Sequence, residues 1–471
     1  MHDLLRLDGI WRSRRQISLA YSAAGLRFTT SYWYRDLDLI ELERRYGEDF
    51  MGKLYFHMLA FEANKAGSLK PARLDPGPFG RYLSDRFVDL WSRIFHKVWA
   101  QWRYENELPD YPGPAITAPA ERADIGARAL APGDVDLLAF CGGGKDSLVC
   151  MGLLDEAGAG YGLFEYAHSI YGTRHKQEQL VGALAAHGAP VRVHRQWVAD
   201  DFLDSPVLEC APDVGVRSLT AAETPSSIFA AVPVALAHGY RYLVLGHERS
   251  ADTGNLIWDR TGEDVNHQWG KSGEAEDLLN RYLQDELVSN LAYFSLLKPI
   301  HDVVIFGLLR DRPDGLEQTH SCNLDKPWCK RCPKCAYVWL NYMAYLPVER
   351  VDAMFGQNLF DLPENQLAFR QMLGLEAHTP FECLGQVEEA RLAFELCRAK
   401  GLGGAAMDAY RSAAPALDVD AVLDRFARVY EPSADMPKNL RGPVLARMRE
   451  AAERTAAYVR QTLAAAERRG S

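Results

Sequence analysis

The sequence predicts an α/β protein: a parallel twisted sheet with helices on both faces, an N-terminal α+β flank before it and a mainly helical C-terminal region after it. Three observations carry that expectation. Short apolar runs alternate with amphipathic stretches from residue 134 to about 345, and strands joined by helical crossovers make parallel sheets covered on both faces. One of the runs, LLAFC, opens directly into three glycines and then a segment of helical spacing. Beyond 345 the apolar positions recur with helical period.

The elements follow in chain order. Residues 1–130 are rich in aromatic and charged residues and read as a separate N-terminal domain; within them Phe87, Leu90, Trp91, Ile94, Phe95 and Val98 share one helix face, as core positions do. Proline, glycine and alanine without periodicity mark a linker near 110–133. In the central domain, 134–345, VDLLAFC, GYGLFEYA, VRVHRQWV and YRYLVLG are the expected strands, with helices near 145–156, 175–187 and 226–238. Ligands of such a sheet lie at the carboxyl ends of its strands. Residues 346–471 contribute QVEEARLAFELCRAKG, which ends on a glycine cap, and an Ala/Arg/Glu-rich helix over 442–468.

Composition narrows the function. A net charge of −10 opposes a nucleic-acid partner held by phosphate neutralisation, though not a local site for a small anion. No apolar run approaches the roughly 20 residues of a membrane span, and the first residues lack the pattern of a secretion signal, so a cytoplasmic protein without a membrane partner is expected. Of nine cysteines, Cys322, Cys329, Cys332 and Cys335 fall within 14 positions. That clustering suits a reducing compartment and a local metal site rather than a disulfide framework.

Two motifs carry chemistry. Val135 to Cys141 read as a strand, Gly142 to Gly144 as a turn and Lys145 to Glu156 as a helix; glycines let backbone approach a ligand, and free N–H groups at a helix start bind anionic oxygens. The pattern is neither a Walker loop nor a dinucleotide fingerprint. Gly246, at the end of a later strand, would allow close approach of a ligand, with His247 and Glu248 beside it at the active edge. The second motif is the cysteine cluster, whose four thiolates suit a tetrahedral structural zinc, with an iron–sulfur cluster as the lesser alternative.

Gly142-Gly143-Gly144-Lys145-Asp146-Ser147 resembles the Ser-Gly-Gly-x-Asp-Ser fingerprint of the PP-loop ATP pyrophosphatases, with Gly142 where that family has serine. The resemblance implies an adenine nucleotide α-hydrolase-like fold and cleavage of ATP between its α and β phosphates, with AMP joined to a substrate and pyrophosphate released. It also implies that Cys141 to Ser147 and Gly246 hold the nucleotide, Lys145 neutralising phosphate, Ser147 hydrogen-bonding it and Asp146 holding Mg2+. The segment from LLKPIHDVVIFGLLRD to the cysteine cluster is similar to the deazaguanine nitrile synthases of that superfamily.

The segments FTTSYWYRDLDLIELERRYG, KLYFHMLAFEANKAGSLKP and HTPFECLGQVEEA, together with the glycine loop, resemble the ATP-dependent epimerases of peptidoglycan precursor synthesis that act on UDP-N-acetylmuramoyl-L-alanyl-L-glutamate. That resemblance implies a UDP-linked muramoyl dipeptide substrate, adenylation of its glutamate and inversion at the α-carbon. Lys145, Asp146, His247 and Glu248 are then the catalytic candidates. His247, Glu248 and Cys383 are the candidate bases, with no assignment among them, and Arg12, Arg14, Arg15, Lys65, Lys70 and Arg73 are available for the UDP phosphates. Two alternatives stay open: a nitrile-forming or tRNA-modifying adenylase, and a nucleotide-sensing protein without turnover.

Overall fold

The structure, a computed structural model, describes residues 3–117, 121–210 and 222–470. Among the described residues the strands in chain order are β1 (Leu4–Arg12), β2 (Gln16–Ala23), β3 (Leu26–Tyr34), β4 (Arg73–Asp75), β5 (Ala115–Ile116), β6 (Leu137–Cys141), β7 (Tyr161–His168), β8 (Arg192–Asp200), β9 (Tyr242–Leu245), β10 (Leu256–Trp258), β11 (Glu263–Val265) and β12 (Ala292–Ser295). Ten of them form one sheet in the order β12-β9-β6-β7-β8-β3-β2-β1-β4-β5, and β10 pairs with β11 alone.

The run β12-β9-β6-β7-β8 is parallel, as the alternation of strands and helices predicts. Beyond β8 the sheet continues into strands of the N-terminal α+β flank, and the direction changes. β3 pairs antiparallel with β8, from Thr30 opposite Asp200 to Tyr34 opposite Gln196, and β2 and β1 continue antiparallel. The β2–β3 pairing is local in origin, since the two strands are joined by Ala24 and Gly25 with φ of 53° and 82°, the two consecutive positive angles of a tight hairpin turn, whereas the docking of β3 on β8 joins segments far apart in the chain. A hairpin can make only antiparallel neighbours. The N-terminal strands thus extend the central sheet, which is mixed and mostly parallel.

Alternation along each central strand builds two cores. Leu137, Ala139 and Cys141 of β6 face a cluster shared with the helices Lys145–Glu156, Asp302–Asp311, Pro333–Tyr345, Val387–Ala399 and Lys438–Gly470. Leu138, between them, faces the opposite cluster, formed with β1–β3 and the helices Glu48–Ala63, Asp85–Val98, Glu223–His238 and Gly273–Glu286. The N-terminal region therefore covers one face and the C-terminal helices the other. Removing a side chain such as Leu54, fully buried in the second cluster, would cost about 2–5 kcal/mol.

The helix Lys145–Glu156 has the expected bounds, while the next two, Arg174–Ala185 and Glu223–His238, begin before their predicted starts. No helix among the described residues is long and apolar enough to cross a membrane. What matters for the site is strand order. The chain leaves β6 toward β7 and β8 on one side, then places β9 and β12 on the other. The order reverses at β6, and at such a point the loops after adjacent strands diverge and leave a crevice at their carboxyl ends. The two loops there are those after β6 and β9.

Candidate functional site

The loop after β6 is Gly142–Gly144, and each glycine has its own reason. Gly143 has φ +91°, and a Cβ there would lie 1.8 Å from His320 Nε2, whose own backbone N–H donates to the Gly143 carbonyl at 2.9 Å. A Cβ on Gly144 would come to 3.1 Å from Ser321 Oγ, which accepts the Lys145 N–H at 3.4 Å. A Cβ on Gly142 would meet no heavy atom within 4 Å among the described residues other than its chain neighbours. The loop is packed by His320 and Ser321 on one side and open on the other. The buried Nε2 of His320 has no hydrogen-bond partner among the described residues.

Lys145 is 1% exposed. Its Nζ donates to Asp146 Oδ1 and to Asp302 Oδ1, both at 2.6 Å, and lies 5.1 Å from the Phe306 ring centroid. Tyr337 donates to the other oxygen of Asp302 at 2.9 Å. Burial alone would depress the Lys145 ammonium, but Asp146, Asp302 and Glu248 together hold it well above its ordinary range. A charge so placed fixes the Asp146 carboxylate at the helix start. Ser147 lies beside the Cys141 thiol, which burial pushes up to about 12. That thiol points into the core, so Cys141 can meet a ligand only through its backbone.

The loop after β9 meets the same helix. A Cβ on Gly246 would stand 3.2 Å from both Asp146 Cβ and Cys150 Sγ, so this glycine permits contact between strand end and helix. His247 Nδ1 is 3.3 Å from Ser295 Oγ, and burial, Lys271 and Lys298 keep the ring neutral, well below its usual pKa. Glu248 is buried. Lys298 ties this corner together, donating to Glu248 O at 3.1 Å, Asp252 Oδ1 at 2.9 Å and Lys271 O at 2.8 Å.

Several residues enter the site without a signal in the sequence. Lys271 donates to Cys383 Sγ at 2.9 Å, its carbonyl accepts from Lys298, and Cys383, Glu248 and Asp146 outweigh burial to raise its ammonium. His267, Glu382 and Cys383 place their side-chain donor atoms within 4.8 Å of one another. Lys326 donates to the His320 carbonyl at 3.1 Å and lies 5.4 Å from the Tyr171 ring centroid; Tyr171 in turn donates to Glu223 at 2.8 Å. A pocket opens at the carboxyl ends of β7 and β8, walled by Glu62, Lys65, Tyr166, His168, Asp200 and Glu223. Of the N-terminal cations considered for an anionic group, Arg12 pairs with Glu43, Arg14 with Asp38, and Lys65 is buried between Glu62 and Asp200.

The four clustered cysteines converge. Thiolates bound at about 2.3 Å to one tetrahedral metal stand about 3.8 Å apart; Cys322 and Cys332 sulfurs are 3.9 Å apart, Cys329 and Cys335 sulfurs 3.8 Å. The N–H groups of Leu324, Asp325 and Cys329 point at Cys322 Sγ at 3.3–3.4 Å, as donors do around a thiolate. This donor set fits a zinc ion. It also connects the site: His320 and Ser321 precede the knuckle, Asn323 donates to Glu382 at 2.8 Å, and Lys334 donates to the Cys383 carbonyl.

Comparison with known proteins places the chain in a family. A family profile described as the MurL N-terminal domain matches residues 224–296, and one described as the MurL C-terminal domain matches 317–411; the first stretch contains Lys271 and the second Cys383. A UDP-N-acetyl-alpha-D-muramoyl-L-alanyl-L-glutamate epimerase from a Micromonospora species is 32% identical over 332 residues, covering 68% of this chain and 69% of that protein. The protein of the same name from Salinispora tropica is 30% identical, covering 68% of this chain and 67% of its own length. A third, from Xanthomonas oryzae pv. oryzae, is 30% identical over 64% of this chain and 62% of its own. No solved structure matches the chain significantly. By identity and coverage together, the chain belongs to the UDP-N-acetyl-alpha-D-muramoyl-L-alanyl-L-glutamate epimerase family.

Proposed function

We propose that this protein is an ATP-dependent epimerase that converts the terminal L-glutamate of UDP-N-acetylmuramoyl-L-alanyl-L-glutamate to D-glutamate, through an acyl-adenylate, with release of AMP and pyrophosphate. The observation that carries the reading is Asp146. It sits at a helix N-terminus at the switch point of a parallel sheet, one oxygen held by Lys145 and the side chain 28% exposed. Mg2+ is bound through one or two carboxylates plus phosphate oxygens, and the helix start and the open side of Gly142 give phosphate a place to lie. The strand order and this loop support an adenine nucleotide α-hydrolase-like fold, and Ser321 sets a hydroxyl against the loop that carries none at Gly142.

The chemistry explains why ATP is needed. A free carboxylate opposes loss of the α-proton, because a second negative charge would build beside the first. Adenylation neutralises the carboxylate and lets the carbanion delocalise as an enolate. A positioned base can then take the proton, and reprotonation on the opposite face inverts the centre before water releases AMP. The cysteine knuckle would hold one structural zinc, and elemental analysis should find about one per chain.

Incubation of the enzyme with UDP-N-acetylmuramoyl-L-alanyl-L-glutamate, ATP and Mg2+ in deuterated water tests the reading. D-Glutamate carrying α-deuterium, together with AMP and pyrophosphate, is the expected product. Unchanged substrate and no AMP would remove it.

A further inference from the structure

Building on the epimerase reading above, we propose that the sulfur of Cys383 is the base that takes the α-proton of the adenylated glutamate, with Lys271 and His267 as its positioning residues. The geometry is that of a prepared nucleophile rather than a packed thiol. Lys271 Nζ stands 2.9 Å from Sγ. His267 has Nδ1 occupied by Gln101 Oε1 at 2.6 Å, which leaves Nε2 for the thiol. The loop that carries Cys383 is held from several sides: Asn255 donates to Thr379 and Pro380, Gln268 to Leu384 O, and Lys334 to the Cys383 carbonyl. Such anchoring fixes a base to within the narrow tolerance that proton transfer demands.

Electrostatics separate this cysteine from the buried cysteines Cys141, Cys150 and Cys397 outside the knuckle. Burial raises the Cys383 thiol, but Lys271 and the His267 contact outweigh burial and hold it below its ordinary value. Burial pushes Cys141 and Cys397 up to about 12. Thiolates form where a cation and a histidine stand beside the sulfur. The titratable and charged groups facing Cys383 are Lys271, His267, Glu382, Tyr171 and Lys334, the last through the Cys383 carbonyl. Of the other candidate bases, His247 lies between the cations Lys271 and Lys298, and Glu248 sits toward Lys145 and Lys271 on the nucleotide side.

In the step, the C–H bond breaks and an S–H bond forms, and the C–H electron pair enters the acyl carbonyl to give the enolate. A proton from water reaches the opposite face of the α-carbon, leaving hydroxide. The thiol returns its proton to that hydroxide and is a thiolate again.

The test uses the full-length enzyme with the same substrate, ATP and Mg2+ in deuterated water, comparing wild type with Cys383→Ser, Cys383→Ala and Lys271→Gln. For the Cys383 variants, pyrophosphate–ATP exchange should persist while α-deuterium incorporation and D-product fall about 100-fold or more. Lys271→Gln should keep exchange of α-deuterium but move its pH dependence upward, which a merely structural lysine would not do. Should the Cys383 variants not fold, iodoacetamide treatment of the wild type gives the same readout. A Cys383 variant or alkylated enzyme that incorporates α-deuterium at the wild-type rate overturns the assignment and leaves the epimerase reading standing. Loss of pyrophosphate exchange in a folded Cys383 variant also overturns it, by moving the sulfur to adenylation. Wild type without pyrophosphate exchange on this substrate removes the reading itself.

Discussion

Two buried lysines, one on each face of this sheet's helical layers, each lie between two carboxylates, and they do different things. At Lys65 every carboxylate oxygen is occupied. Glu62 takes Lys65 at 2.7 Å on one oxygen and the Tyr32 and Ser226 hydroxyls on the other; Asp200 takes Lys65 at 2.6 Å and Thr30 at 2.7 Å on one, and the Phe202 N–H at 3.1 Å on the other. At Lys145, Asp302 is similarly filled, but Asp146 uses one oxygen, and its other accepts no protein hydrogen bond among the described residues. The charges are alike and the saturation is not. A filled cluster acts as a fastener, here at the joint where Thr30 of β3 pairs with Asp200 of β8. An unfilled one keeps capacity for an incoming cation.

Substitutions can break that comparison. The largest expected effect is that of Lys65→Met, which leaves two buried carboxylates unpaired and should cost about 3–5 kcal/mol of stability, read as a lower denaturation midpoint. Asp146→Asn should do the opposite: near-normal stability, with AMP formation reduced on the order of 100-fold or more, since the lost charge acts on the reacting phosphates. A fall in stability comparable to that of Lys65→Met would make the two clusters equivalent and undo the distinction.

Acid probes the N-terminal side of the sheet. His57 is fully buried between Lys53 O at 2.7 Å and Tyr282 OH at 2.6 Å, and burial lowers its pKa to about 3. An unfolded histidine titrates near 6.5. Between those values the unfolded chain binds the extra proton, so this contribution is complete above pH 6.5 and is lost as pH falls toward 3. The loss should reach a few kcal/mol by pH 4, and His57→Gln should flatten the acid limb of a stability–pH curve. The smallest effect is expected of Gly142→Ser, whose side chain enters open space. Stability should change by less than about 0.5 kcal/mol, while the KM for ATP shows whether a hydroxyl there adds to nucleotide binding.

Much of the site's frame was legible in the chain. β6, the glycine turn and the helix Lys145–Glu156 appear where period and turn residues put them, because strand alternation, helical period and the glycine preference for positive φ are properties of neighbouring residues. The cysteine spacing likewise reported a convergent donor set. Strands were expected in the N-terminal α+β flank, but the bounds of β1–β3 were not legible since aromatic and charged residues obscure a period of two, although Ala24-Gly25 is a turn signal. Lys65 illustrates the opposite failure: a cation available for an anionic substrate by its type alone was already paired inside the protein.

What the sequence determined by itself was therefore the local grammar: which segments are strands or helices, where the backbone must turn, and which thiols can meet. Tertiary structure alone decided that β3 lies against β8, that Asp302 reaches Lys145 from 157 residues away, and that Lys271 meets Cys383 across 112. The physical reason is that a charge takes whichever partner the packed elements bring within about 3 Å, and that pairing across the fold leaves no mark in the spacing of residues along the chain.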